Sequence, residues 1–121
     1  MNLKTTNFEI NGETKDYLNK KIEHLGKFVN LNSPNTNLDV EIGKISEHHQ
    51  KGDIFRAEFN LSIGGEYYRA DEESQSIMSA IDLAIEELLK QLRRGKDKRE
   101  TMIKRGGRKI KEMLRNINPM K

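Results

Sequence analysis

The chain of 121 residues contains no cysteine, which excludes disulfides and thiolate-ligated metal and fits a reducing compartment. Nowhere do about 18 uncharged apolar residues run together, so no helical membrane span is expected. The N-terminal MNLKTTNFEI lacks the apolar core of a secretory signal. These absences point to the cytoplasm. Apolar residues are scarce at 34% and aromatic ones at 6%, yet the Ile, Leu and Phe that remain fall in periodic runs adequate for one modest core. The length allows one domain with a short appendage rather than two domains.

Groupings that carry catalysis are missing too. His48 and His49 stand together in the polar break SEHHQKGD, where neighbouring side chains of an extended loop point in opposite directions and no further ligand or nucleophile clusters with them. His24 falls on the exposed side of a helical run. Neither Gly64-Gly65 nor Gly106-Gly107 lies between a strand and a helix in the pattern of a phosphate-cradling loop. Asp71, Glu72 and Glu73 precede an expected helix, where its dipole accounts for them, and Glu86-Glu87 fall on a solvated helical face. The expectation is a protein with no catalytic residue, no metal site, no cofactor and no small-molecule substrate, hence not an enzyme.

What is present is charge, unevenly placed. Residues 1–89 hold 9 Lys/Arg against 16 Asp/Glu, a net −7, whereas residues 90–121 hold 13 against 3, a net +10. Clustered cations gain affinity along phosphates by releasing condensed counterions, so a polyanion partner is expected, nucleic acid ahead of an anionic membrane surface. Lys90, Arg93, Arg94, Lys96, Lys98 and Arg99 form the cluster, and Lys20, Lys21 and Lys27 extend it if two helices lie side by side as one cationic ridge. Tyr67 and Tyr68 are candidates for base stacking, although a strand tyrosine more often packs across the sheet.

Periodicity supplies the scaffold. A short strand is expected within residues 3–10, ending at Asn11-Gly12. Thr14, Tyr17, Leu18, Ile22, Leu25 and Phe28 then recur at helical spacing, with Asn11 as N-cap and Gly26 as C-cap. Residues 38–45 alternate as a half-buried strand. Phe55, Ala57, Phe59, Leu61 and Ile63 share one face of another, and Gly64-Gly65 is expected to close a primed hairpin turn with both glycines at positive φ before EYYRAD returns. Ser74 or Ser76 opens the strongest helix, striped by Ile77, Ala80, Ile81, Ala84, Ile85, Leu88, Leu89 and Leu92, with Gly95 marking its end. The expected fold is α+β: a two-layer sandwich of order β-α-β-β-β-α, with a four-stranded mixed sheet carrying two helices on one face. Residues 1–98 would form this domain, and residues 99–121 a basic C-terminal tail, disordered or helical.

The stretch from Gly64 to Lys98, with its GGEYYRAD hairpin, SAIDLAIEELLKQL helix and RRGKDK basic end, resembles the ribosome hibernation promoting factors, also called ribosomal subunit interface proteins or ribosome-associated inhibitors. The match extends over roughly residues 1–98 and is sharpest at Ala80-Ile81-Asp82 and from Leu88 to Lys98. The resemblance implies a bacterial protein that binds the small ribosomal subunit and its rRNA in the channel used by mRNA and tRNA, inhibiting translation and storing inactive ribosomes in starvation or stationary phase. The positions that match the family's rRNA-contacting cations are Lys20, Lys21, Lys27, Lys90, Arg93, Arg94, Lys96 and Lys98, to which charge alone adds Arg99. The chain departs from the long members, which carry a second, mostly β domain, in having no such segment after residue 98, so a short-type member is expected, monomeric off the ribosome and with no membrane partner. Rival readings are a protein-interaction module that modulates transcription and a general RNA chaperone.

Overall fold

Alternation of apolar and polar residues builds the sheet. In the computed structural model, which describes residues 1–45 and 52–96, four strands pair in the order β1-β2-β3-β4: β1 is Asn2–Thr6, β2 Thr36–Ile45, β3 Ile54–Ile63 and β4 Glu66–Ser74. β1 runs parallel to β2, with Leu3 opposite Val40, while β2, β3 and β4 form an antiparallel meander in which Val40 faces Phe59 and Phe59 faces Ala70. A period of two puts Leu38, Val40, Ile42, Ala57, Phe59, Leu61 and Ala70 on one face, and all seven are buried.

Two helices supply the second layer of the expected α+β sandwich. α1, Gly12–Leu25, starts where the Asn11 side chain accepts a hydrogen bond from the Thr14 N–H, and it buries Thr14, Leu18 and Leu25. α2 occupies residues 77–96. It opens on Ser76, whose Oγ accepts from the Ser79 N–H at 3.1 Å, and its stripe of Ile77, Ala80, Ile81, Ala84, Ile85 and Leu88 is buried. The chain divides into two compact units, Met1–Lys90 and Gln91–Lys121. The first contains the sheet, α1 and α2 as far as Lys90; the described part of the second is helical residues 91–96.

Several local expectations need correction. The first strand stops at Thr6, because Asn7 takes a left-handed φ of 51° and turns the chain. Only Gly64 of the hairpin glycines has positive φ, +60°, so the turn is of the kind that demands glycine at its first central position alone. β4 continues to Ser74 because β3 still offers partners: Glu72 pairs with Ala57 and Glu73 with Arg56. Asp71, Glu72 and Glu73 are therefore strand residues and not a prelude to α2. Gly95 does not end α2, since one glycine costs a helix only about 1 kcal/mol and its neighbours are strong helix formers. Gly26 does cap α1 as expected, its N–H reaching the Ile22 carbonyl at a right-handed φ of −62°. Phe28 lies beyond that cap, so helical spacing no longer applies to it; it is 59% exposed and meets the His24 ring edge-on at 5.6 Å. His48, His49, Lys98, Arg99 and the expected tail lie outside the described residues.

One glycine is required by contact. A Cβ on Gly43 would stand 2.7 Å from the Thr6 carbonyl oxygen, so any side chain there would force β1 away from β2.

Candidate nucleic-acid interface

The cations singled out by sequence do not share one environment. Lys20, Lys21 and Lys27 are brought together with Glu23 and His24 around a shallow depression on the outer side of α1. Lys20 and Lys27 are exposed, and among the described residues neither has a carboxylate at ion-pairing distance. Lys21 is different. Its Nζ lies 3.1 Å from Asp82 Oδ1 on α2 and 5.4 Å from the centre of the Tyr17 ring, and the Tyr17 hydroxyl donates to the same Oδ1 at 2.5 Å. The Asp82 carboxylate raises both the Tyr17 phenol and the Lys21 ammonium above their ordinary pKa, chiefly by accepting their hydrogen bonds.

Lys90 is exposed on α2 in the first unit. In the second unit Arg93, Arg94 and Lys96 are all exposed, and Arg93 and Lys96 fall three residues apart on one side of their helix. No group of three or more His, Asp or Glu suited to a metal ion occurs among the described residues. No helix there is long and apolar enough to cross a membrane.

On the other side of the sheet is a charged network that sequence reasoning missed. Arg56 bonds Asp71 through Nε at 2.7 Å and Nη2 at 2.9 Å and also pairs with Glu58; Arg69 reaches Glu58 at 3.1 Å and Asp71 at 3.4 Å; Asn60 donates to Glu58 at 2.7 Å. Hydrogen bonding from Asn60, joined by the two arginines, holds the Glu58 carboxyl below its ordinary pKa, and Arg56 does the same for Asp71. The network was within reach of the sequence: a two-residue turn at Gly64-Gly65 sets Glu58 opposite Asp71 and Asn60 opposite Arg69 by counting outward along the hairpin. Tyr67 projects beside this face at 81% exposure, while the Tyr68 hydroxyl donates to Glu66.

Comparison with known proteins agrees with this architecture. The N-terminal domain of Protein Y from Thermus thermophilus is 28% identical, matching 78% of this chain and 98% of its own with a TM-score of 0.56. A ribosomal subunit interface protein from Coxiella burnetii, 16% identical, shares the fold with a TM-score of 0.58 over 79% of this chain and 96% of its own. The family model described as Sigma 54 modulation protein / S30EA ribosomal protein matches residues 1–100. With its mixed four-stranded sheet and paired helices, the chain belongs to that family, the ribosome-associated hibernation family that the GGEYYRAD and SAIDLAIEELLKQL segments resemble.

Proposed function

We propose that the protein binds the small ribosomal subunit through the cations of its two helices, occupies the channel used by mRNA and tRNA, and thereby holds ribosomes inactive during starvation or stationary phase. Family membership supports ribosome association. The observation that carries the finer reading is the segregation of available charge: Lys20 and Lys27 stand without carboxylate partners among the described residues, whereas the arginines of the sheet face are tied to Glu58 and Asp71. Lys90 in the first unit and Arg93, Arg94 and Lys96 in the second are exposed and join the proposed contact set by their charge, with Lys98 and Arg99 following in sequence. Action is by occupancy, without turnover, and the partner is rRNA phosphate.

The test is sedimentation of starved-cell extract through a sucrose gradient. The protein is expected with small subunits and intact ribosomes, in amounts that rise on starvation. The double variant Arg93→Glu, Arg94→Glu should stay at the top of the gradient and no longer inhibit translation, with an unchanged circular-dichroism spectrum. A folded double variant that still co-sediments and inhibits would remove these residues from the interface.

A further inference from the structure

We infer that Asp82 is a built-in counter-ion that withdraws Lys21 from phosphate contact, so that α1 meets rRNA through Lys20 and Lys27 and not through the lysine between them. The inference rests on the proposed function and refines which residues of that surface recognise the polyanion.

Sequence does not separate these three lysines, since all lie in or just beyond one helix and two are adjacent. The structure does separate them. Lys21 Nζ is held between the Asp82 carboxylate, at 3.1 Å, and the face of the Tyr17 ring, at 5.4 Å. Asp82 also accepts from the Tyr17 hydroxyl at 2.5 Å on the same Oδ1, so its position does not depend on Lys21 alone. Tyr17 and Lys21 are one helical turn apart on α1, and Asp82 comes from α2, so the carboxylate bridges the two helices.

An exposed ion pair contributes little to stability, so Lys21 can leave Asp82 at small cost. What cancels its usefulness is the carboxylate left behind. A phosphate drawn to Lys21 approaches the anchored Asp82 within a few ångströms, and at comparable distances its repulsion offsets the attraction. Counterion release counts phosphates neutralised by cations; the Lys21–Asp82 pair is already neutral and releases none. Asp82 thus acts as a repulsive element that steers the RNA backbone toward Lys20 and Lys27, a device for specificity rather than affinity.

The full-length protein is titrated against purified small ribosomal subunits over a range of salt concentrations, and the slope of log affinity against log salt is read for each variant. Lys20→Gln and Lys27→Gln should each flatten the slope by about 0.7–0.9, the value of one phosphate contact. Lys21→Gln should leave it unchanged. Asp82→Asn, whose amide oxygen still accepts from Tyr17, should steepen it by a similar amount by releasing Lys21, and the double variant Lys21→Gln, Asp82→Asn should return to the parent slope. If Lys21→Gln flattens the slope as Lys20→Gln does, the inference falls and the proposed function stands. If none of the three lysine variants changes the slope, α1 is not on the RNA, and the inference falls together with that assignment. Should Asp82→Asn fail to fold by circular dichroism, the Lys21→Gln arm decides alone.

Discussion

The outer face of the sheet and the outer side of α1 are both rich in charge, yet they use it in opposite ways. By strand register the sheet face carries Lys4, Arg56 and Arg69 among Asp39, Glu41, Glu58, Asp71 and Glu73. Its arginines are bonded to carboxylates, Asp39 accepts from Asn2 at 2.8 Å, and Glu41 accepts from Thr6 at 2.7 Å. Lys20 on α1 and Lys27 just beyond it are exposed without such partners among the described residues, whereas Lys21 is paired with Asp82. Net charge therefore says little about where a polyanion docks. Arginines tied to carboxylates across the sheet stabilise the fold, whereas lysines left without such partners on the helix side are available to a ligand.

The comparison is broken outright by removing the layer that keeps the two faces apart. Ile81 is fully buried in the stripe of α2. Ile81→Asp places an unpaired carboxylate there and is expected to destabilise the domain by about 3–5 kcal/mol, a large share of the roughly 5–15 kcal/mol available to a small domain. Loss of the cooperative thermal transition checks this. A variant with parent-like melting would mean that α2 does not close the core.

A smaller effect is expected from disturbing the sheet network alone. Arg56→Met keeps the aliphatic stem but leaves Asp71 without its two-point partner, and Glu58, only 14% exposed, with Arg69 and Asn60. The expected loss is about 1–3 kcal/mol near neutral pH. Both carboxyls sit below their ordinary values of 4.5 and 3.8 in the folded protein, so their stabilisation is fully present above that range and is lost as pH falls through it toward the depressed folded values. Urea unfolding should accordingly show a gap between parent and Arg56→Met that is widest near pH 7 and shrinks below about pH 4. A gap independent of pH would mean that Arg56 acts through packing and not through its charge.

Much of this fold was legible because it depends on periodicity. Leu38, Val40 and Ile42, and Ala57, Phe59 and Leu61, declare their buried face by alternation alone, and Ile77 to Leu88 declare theirs by helical spacing. Boundaries were less legible, because they are settled by partners distant in sequence: β4 persists to Ser74 since β3 still pairs with it, although EYYRAD alone suggested an earlier end. The candidate site was legible as a set of cations and illegible as a set of environments. Asp82 stands 61 residues from Lys21, and Tyr17 reads in sequence as one more member of an apolar stripe until its hydroxyl is found on Asp82.

The smallest expected effect is the sharpest test of the comparison. Arg69 is 61% exposed, as accessible as a surface cation usually is, and it bonds both Glu58 and Asp71. If ribosome binding responded to the overall charge of the domain, Arg69→Gln would weaken it as Lys20→Gln does, because each removes one positive charge. If binding depends on cations that are free to neutralise phosphate, the two variants must differ. Arg69 lies on the sheet face, opposite the helix layer, and beyond a screening length of about 8 Å at physiological salt its charge contributes little to a partner docked on α1. Arg69→Gln is therefore expected to leave both affinity for small subunits and its salt slope at parent values, with a loss of stability below about 1 kcal/mol, as for an exposed ion pair. A slope reduced to the extent caused by Lys20→Gln would show that the two faces are not electrically separate, and the distinction between satisfied and available charge would fail for this domain.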